Sequence, residues 1–180
     1  MRILRLTSLR RLEVQSAPMP ELRAPHDVRI RVTRVGVCGS DVHYYAEGRI
    51  GSQVVRFPFA VGHECAGVVD AIGPAVRRVR SGDHVAVEPA VSCGTCDQCR
   101  AGRPNTCRSL KFLGCPGQLE GALADYLVMP EANCLPLPAG ADDDLGALSE
   151  PLAIALYAVR QSGPVAGRRI AVLGAGPIGL

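Results

Sequence analysis

The stretch "GHECAGVVDAIG", residues 62–73, decides the fold class of this chain. It is a short β-rich run bounded by glycine, and "HVAVEP", residues 84–89, is a second such run that ends at proline. A third stretch, "VRIRVTRV" over residues 28–35, alternates apolar and polar residues with the period of a half-buried strand. Many short strands separated by glycine and proline predict a closed or partly open β-barrel. We therefore expect a mainly β region from residue 1 to about residue 138.

The composition excludes several classes of protein. The 180 residues are 47% hydrophobic, with 20 lysines and arginines against 17 aspartates and glutamates. The basic residues are scattered along the chain, which argues against a nucleic-acid partner. No run approaches the ~18 apolar residues of a membrane span, and arginines interrupt the N-terminus too often for a signal peptide. We expect a cytoplasmic protein, in which clustered cysteines are more often metal ligands than disulfides.

The pattern changes after residue 140. Three aspartates, residues 142–144, stand where a helix N-terminus favours negative charge, and "LGALSEPLAIALYAVRQSG", residues 145–163, has helical spacing. Pro151 inside this stretch predicts a break or a second helix start. The following residues 169–173 predict a strand, and "GAGPIG", residues 174–179, has the G-x-G-x-x-G spacing of a dinucleotide-binding turn.

Four cysteines form the most specific local motif. Their spacing is C-x2-C-x2-C-x7-C, at Cys93, Cys96, Cys99 and Cys107. Four thiolates at this spacing can surround zinc tetrahedrally, and a saturated site of this kind is structural. An iron–sulfur cluster of the bacterial ferredoxin type has its last cysteine three residues on and then proline, whereas here seven residues intervene and Arg108 follows. The cysteine spacing therefore favours zinc over an iron–sulfur cluster.

Several further motifs occur together and in one order. They are "GVCGSDVHYYAEGRIG", "VGHECAGVVDAIG", the four-cysteine motif, "GALADYLVMP", "SEPLAIALYAV" and "VLGAGPIGL". In this order the chain resembles the zinc-dependent medium-chain alcohol and polyol dehydrogenases over essentially all of its length. The resemblance is strongest to the sorbitol and xylitol dehydrogenase branch, followed by threonine and glucose dehydrogenases. It implies hydride transfer from a small-molecule alcohol, with a polyol or sugar alcohol as the first choice, to NAD or NADP.

The resemblance also implies a domain organisation. Residues 1–150 would form a GroES-like, partly open β-barrel catalytic domain with a structural zinc lobe at about residues 90–110. Residues 151–180 would form a linker helix and the first strand of a truncated Rossmann domain. On this reading the sequence is the N-terminal catalytic portion of a longer dehydrogenase that is homo-oligomeric at full length. We expect little or no dehydrogenase activity from the 180-residue polypeptide alone.

Residue roles follow from the same resemblance. Cys38 and His63 would be ligands of a catalytic zinc, and the third ligand would be Glu64 or Glu150. Such a set leaves a fourth position open for water or an alcohol. With the zinc of the four-cysteine lobe, this makes one catalytic and one structural zinc.

Further residues would support the reaction. The carboxylate of Asp41 would accept a hydrogen bond from the imidazole of His63, as carboxylates beside metal-bound histidines do. The resemblance makes Ser40 and His43 a proton relay to solvent and places Tyr44 on the wall of the substrate pocket. The predicted cofactor-binding residues are those of the glycine-rich turn: Gly174, Gly176, Pro177, Ile178 and Gly179.

Two alternatives and one minor expectation remain from the sequence. The chain could be a non-catalytic, zinc-stabilised structural or interaction module, or an iron–sulfur electron carrier that uses the four-cysteine lobe. Cys65, Cys115 and Cys134 match no ligand position, and we expect them to be small buried or semi-buried thiols.

Overall fold

A computed structural model describes all 180 residues of the chain. It contains eleven strands, three α-helices and two 3₁₀ turns, at Pro104–Thr106 and Glu131–Asn133. The strands are β1 Arg2–Ser8, β2 Arg11–Ser16, β3 Asp27–Val35, β4 Arg49–Ile50, β5 Gln53–Val54, β6 Cys65–Ile72, β7 His84–Val87, β8 Ala90–Val91, β9 Lys111–Phe112, β10 Tyr126–Pro130 and β11 Cys134–Pro136. The helices are α1 Gly39–Glu47, α2 Asp97–Arg100 and α3 Asp143–Gln161.

Five of the strands form one antiparallel sheet in the order β10-β3-β6-β7-β11. The alternation in β3 explains which side of this sheet is inside, because Val28 and Ile30 are fully buried. The main core packs on this face and includes Val69, Val85 and Met129. The prediction of a mainly β, partly open barrel is confirmed.

The β1–β2 hairpin closes a second side of the barrel. Backbone N–H groups of Leu4 and Leu6 donate to the carbonyl oxygens of Leu123 and Phe59, both at 2.8 Å. A smaller core forms beneath the hairpin, where Leu6 and Phe59 pack with Tyr44 of α1. This core fixes the position of α1 at one end of the barrel.

Helix α3 runs unbroken through Pro151, so the predicted break is wrong. Proline removes one backbone donor from the helix, and the first turns of α3 are held independently of that bond. Asp143 accepts hydrogen bonds from the Thr33 hydroxyl at 2.5 Å and from His84 Nδ1 at 2.7 Å. Burial alone would raise the pKa of Asp143, but these hydrogen bonds outweigh it and lower the pKa. The helix also crosses the domain boundary predicted at residues 150 and 151, which stays a prediction.

The strand predicted over residues 169–173 does not form. Ile170 and Val172 are 62% and 65% exposed. A β-strand is stabilised by hydrogen bonds to a neighbouring strand, and no strand of the structure pairs with this segment. The following glycines form a turn in which the Gly179 N–H donates to the Gly176 carbonyl oxygen at 2.9 Å. None of the three helices combines the length and apolar character needed to cross a bilayer.

Three of the cysteines lie in the protein interior, as expected. Cys65, Cys115 and Cys134 are all buried. Burial raises the pKa of Cys65 and of Cys134 to about 12, so both are neutral thiols at physiological pH.

The close contact between β3 and β6 at Gly67 gives a prediction about stability. A Cβ atom at this position would lie 2.2 Å from the Arg31 carbonyl oxygen and 2.9 Å from Ile30 Cγ2. Because the first contact is with backbone, Gly67→Ala must separate the strands, and we expect it to lower the free energy of unfolding by about 1–3 kcal/mol. Urea denaturation measures this, with Gly176→Ala as the control, since its Cβ would meet no atom within 4 Å. Equal stability of the two variants would contradict the prediction.

Candidate metal centres and the adjoining cavity

Strand pairing brings Cys38, His63 and Glu64 together. Strands β3 and β6 are antiparallel, and Val35 at the end of β3 faces Cys65 at the start of β6. Cys38 lies three residues after the end of β3, whereas His63 and Glu64 directly precede β6. One ligand atom from each of the three residues lies within 4.8 Å of the other two. The sequence-predicted cluster is therefore assembled at one end of the sheet.

Asp41 holds the two segments that carry these residues. Its side chain is 5% exposed, and its Oδ2 accepts the Cys38 N–H at 3.0 Å. Its Oδ1 accepts the Gly62 N–H, also at 3.0 Å. The predicted hydrogen bond to His63 is absent, because Nδ1 of His63 lies 3.9 Å from Asp41 Oδ1, beyond hydrogen-bonding distance. The carboxylate is occupied by the backbone amides instead.

Glu64 and Glu150 differ in their relation to the cluster. Glu64 is 9% exposed and belongs to the cluster, and its side chain passes over Gly36, where a Cβ would lie 2.3 Å from Glu64 Oε2. Glu150, on α3, is half-buried and outside the set of mutually close ligand atoms. Burial raises the pKa of Glu150, the charge of His63 opposes this, and the Glu64 carboxylate adds to it. Glu64 is therefore the carboxylate nearer to a ligand position.

The donor set suits zinc. A thiolate, an imidazole and a carboxylate are the three ligand types that zinc binds, and three protein ligands leave a tetrahedral position open. His63 is 7% exposed, and its ring stands edge-on to that of Phe112, with the ring centres 5.3 Å apart. The imidazole is therefore held by packing from one side while the other donors approach it.

The four-cysteine lobe forms a second cluster. The ligand atoms of Cys93, Cys96, Cys99 and Cys107 all lie within 4.8 Å of one another. The short helix α2 carries Cys99 and begins directly after Cys96. On the outside of the lobe, the Asp97 carboxylate accepts two hydrogen bonds from Arg108, at 2.6 and 2.7 Å. Four sulfur atoms in this arrangement can saturate one tetrahedral zinc ion.

Hydrogen bonds lower the pKa of two of these cysteine thiols. The Thr95 N–H and hydroxyl lower the pKa of Cys93 to about 6, and the N–H groups of Arg108 and Cys99 lower the pKa of Cys96. The pKa of Cys99 is instead raised, to about 11, chiefly by burial. Because the thiolate is the ligand form, metal binding at this lobe must displace a proton from Cys99.

A cavity of about 480 Å³ opens beside His63. Its wall includes Ser40 and Tyr44 from α1. The sequence places Tyr44 on the wall of a substrate pocket and Ser40 in a proton relay, and both roles stay predictions. The other lining residues are Ile50, Gln53, His63, Leu110, Phe112, Gly114, Cys115 and Gln118. Tyr44 is 4% exposed, and burial raises its pKa to about 12, so its hydroxyl keeps its proton at physiological pH.

His43 lies outside this cavity, on the solvent side of α1. Its side chain is 61% exposed, and its Nδ1 is 3.6 Å from a carboxylate oxygen of Glu47. Ser40 thus lines the cavity while His43 faces water. A proton relay from the cavity to solvent needs one residue at each of these positions. The relay itself stays a prediction.

The glycine-rich turn is not part of the cavity. Gly174, Gly176, Pro177, Ile178 and Gly179 are all exposed, and none of them lines the cavity wall. Two residues that sequence reasoning missed, Gln53 and Gln118, do line it. No spacing rule could have found them, since their positions depend on how the β4–β5 hairpin and the turn after β9 fold over the end of the barrel.

Comparison with known proteins gives a family for this arrangement. Residues 24–139 match the alcohol dehydrogenase GroES-like domain. The D-xylulose reductase A of Emericella nidulans is 43% identical over 175 residues, which are 97% of this chain and 48% of the relative. The chain thus spans about half the length of the curated relatives it matches.

Solved structures agree with this match. A Sinorhizobium meliloti 1021 protein, described as a zinc-binding dehydrogenase and bound to NADP, superposes with a TM-score of 0.85 at 36% identity. An Escherichia coli CFT073 protein, named a short chain alcohol dehydrogenase and complexed with NADH, gives 0.85 at 34%. Each comparison covers 99% of this chain and 50% of the solved one. With the domain match and the 43% identical relative, these likenesses show that the chain belongs to the zinc-dependent medium-chain alcohol and polyol dehydrogenase family, whose GroES-like domain it contains.

Proposed function

We propose that this chain provides the zinc-binding, substrate-binding portion of an oxidoreductase that transfers a hydride from a secondary alcohol to NAD or NADP. The observation that carries the proposal is the cluster of Cys38, His63 and Glu64 beside a cavity of about 480 Å³. A polyol or sugar alcohol is the proposed substrate class, supported by the similarity to D-xylulose reductase. The NADP- and NADH-bound relatives support a nicotinamide cofactor.

The residues of the site would have separate roles in zinc binding, positioning and proton transfer. Cys38, His63 and Glu64 would hold the zinc ion, which when bound acts as a Lewis acid and lowers the pKa of an alcohol. Asp41 keeps the ligand-bearing segments in place through two backbone hydrogen bonds. Ser40 would accept the substrate proton inside the cavity, and the exposed His43 would pass it to water.

The four-cysteine lobe would hold a structural zinc ion. Its ligands come from one short stretch of chain and fill all four tetrahedral positions, which leaves no place for a substrate. Its metal would stabilise the loops between β8 and β9.

The zinc content of the purified chain is the first test. We expect two zinc ions per chain by elemental mass spectrometry, falling to one in Cys38→Ser, because the catalytic cluster loses its only thiolate. Cys134→Ser is the matched control, since Cys134 is buried but belongs to neither cluster, and it should keep both ions. One zinc ion in both wild type and Cys38→Ser would contradict the proposal and favour a non-catalytic, zinc-stabilised module.

The identity of the third ligand gives a second test. A Cβ at residue 36 would lie 2.3 Å from Glu64 Oε2, so Gly36→Ala must displace that carboxylate. We expect Gly36→Ala and Glu64→Gln to weaken zinc binding at the cluster of Cys38, His63 and Glu64, called the Cys38 cluster below. Glu150→Gln should bind zinc as the wild type does. Titration against a chromogenic chelator measures the affinity. Loss of zinc affinity in Glu150→Gln alone would assign the ligand to Glu150 instead.

The role of Asp41 gives a third test. In Asp41→Asn one of the two accepting oxygens becomes an NH2 group, which faces a backbone N–H and cannot accept from it. We expect the zinc affinity of the Cys38 cluster to fall by about 10- to 100-fold, the usual effect of losing a group that orients ligands. The lobe should be unaffected, and Asp70→Asn, at a partly exposed ion pair with Arg29, is the control. Unchanged affinity in Asp41→Asn would show that the segments hold their positions without the carboxylate.

A further inference from the structure

The cavity beside His63 contains two side-chain amides among its apolar walls. Gln53 and Gln118 both line it, together with Ile50, Leu110 and Phe112. The structure gives neither amide nitrogen a hydrogen bond to another protein group, whereas both amide oxygens have one. Each amide is thus anchored at one end and has a free polar end.

Gln53 is anchored by a buried tyrosine. The Tyr44 hydroxyl donates to Gln53 Oε1 at 2.8 Å, and Tyr44 itself is 4% exposed. The phenol ring is fixed in the smaller core, so the amide has a defined position on the cavity wall. Its free end can hydrogen-bond a hydroxyl in either amide orientation, because a hydroxyl both donates and accepts.

Gln118 is anchored by the chain segment that packs against His63. Its Oε1 accepts the Phe112 N–H at 2.6 Å, and the Phe112 ring stands edge-on to His63. This fixes the amide on the wall that also holds the His63 imidazole. The two glutamines therefore supply fixed polar groups to a space otherwise bounded largely by apolar side chains.

We propose that Gln53 and Gln118 are specificity-determining residues that bind the non-reacting hydroxyl groups of a polyol substrate. The inference rests on the proposed function, because the reacting hydroxyl is assigned to the cluster of Cys38, His63 and Glu64. A polyol offers further hydroxyls along its carbon chain, and the amides give them partners when they leave water. Both glutamines are exposed residues, so water satisfies their free ends when a monohydric alcohol is bound, and the amides strengthen the binding of the polyol alone.

The test uses two five-carbon secondary alcohols that differ only in their additional hydroxyls: xylitol and 3-pentanol. Each is titrated into the zinc-loaded, ¹⁵N-labelled 180-residue chain, and two-dimensional NMR follows the side-chain NH2 signals. Gln53→Leu and Gln118→Leu assign these signals by their loss. Gln161→Leu is the matched control, because Gln161 also hydrogen-bonds a tyrosine hydroxyl, that of Tyr157, but does not line the cavity.

We expect xylitol to shift the NH2 signals of Gln53 and Gln118 and 3-pentanol to leave them unmoved. Each leucine variant should bind xylitol about threefold to tenfold more weakly, the usual effect of one hydrogen bond, with unchanged affinity for 3-pentanol. Gln161→Leu should behave as the wild type.

Two results would overturn the inference while the proposed function stands. One is zinc at the Cys38 cluster with equal xylitol affinity in wild type and leucine variants, and the other is the absence of saturable shifts by xylitol in the zinc-loaded chain. Failure of the Cys38 cluster to bind zinc is measured separately and overturns the proposed function itself.

Discussion

The buried carboxylate of Asp41 is the interaction on which the candidate site depends. It accepts hydrogen bonds from the backbone N–H of Cys38 and from that of Gly62. Cys38 lies on the segment that follows β3, and Gly62 lies on the segment that precedes β6. A carboxylate with 5% exposure is costly to bury unless its oxygens are hydrogen-bonded, and the two amides provide this. Strand pairing and the hydrogen bond from the Gly36 N–H to the Glu64 carbonyl oxygen hold the same two segments, but only Asp41 joins the amide of Cys38 to that of Gly62.

The sheet supplies the second part of this constraint. Pairing of Val35 with Cys65 sets Cys38 beside His63 and Glu64, although they are distant in sequence. Because side chains alternate along a strand, a slip of one residue would exchange the buried and exposed faces of β6. The close approach at Gly67, where only a hydrogen fits against β3, opposes such a slip. The register of β3 and β6 therefore determines both the packing of the sheet and the assembly of the site.

The sequence predicted those features that depend on local patterns. The alternation in β3 and the cysteine spacing of the lobe need only neighbouring residues, and the structure shows both. The sequence did not predict the hydrogen-bond donors to Asp41, because a carboxylate can accept from an imidazole or from a backbone amide and only the fold selects between them. The error at Pro151 has a similar origin, since helix α3 is held by Thr33 and His84 from distant strands. The strand over residues 169–173 needed a neighbouring strand that the structure does not contain.

The two clusters also differ in when they can form during synthesis. The ligands of the lobe span fifteen consecutive residues, so closing the loop between them costs little entropy and needs no completed sheet. The other cluster requires the β3–β6 pairing and the Asp41 bridge, and therefore a largely folded barrel. The proposed metal binding at the two clusters would accordingly be ordered: the lobe could take its ion while the barrel is still assembling, and the cluster beside the cavity only afterwards.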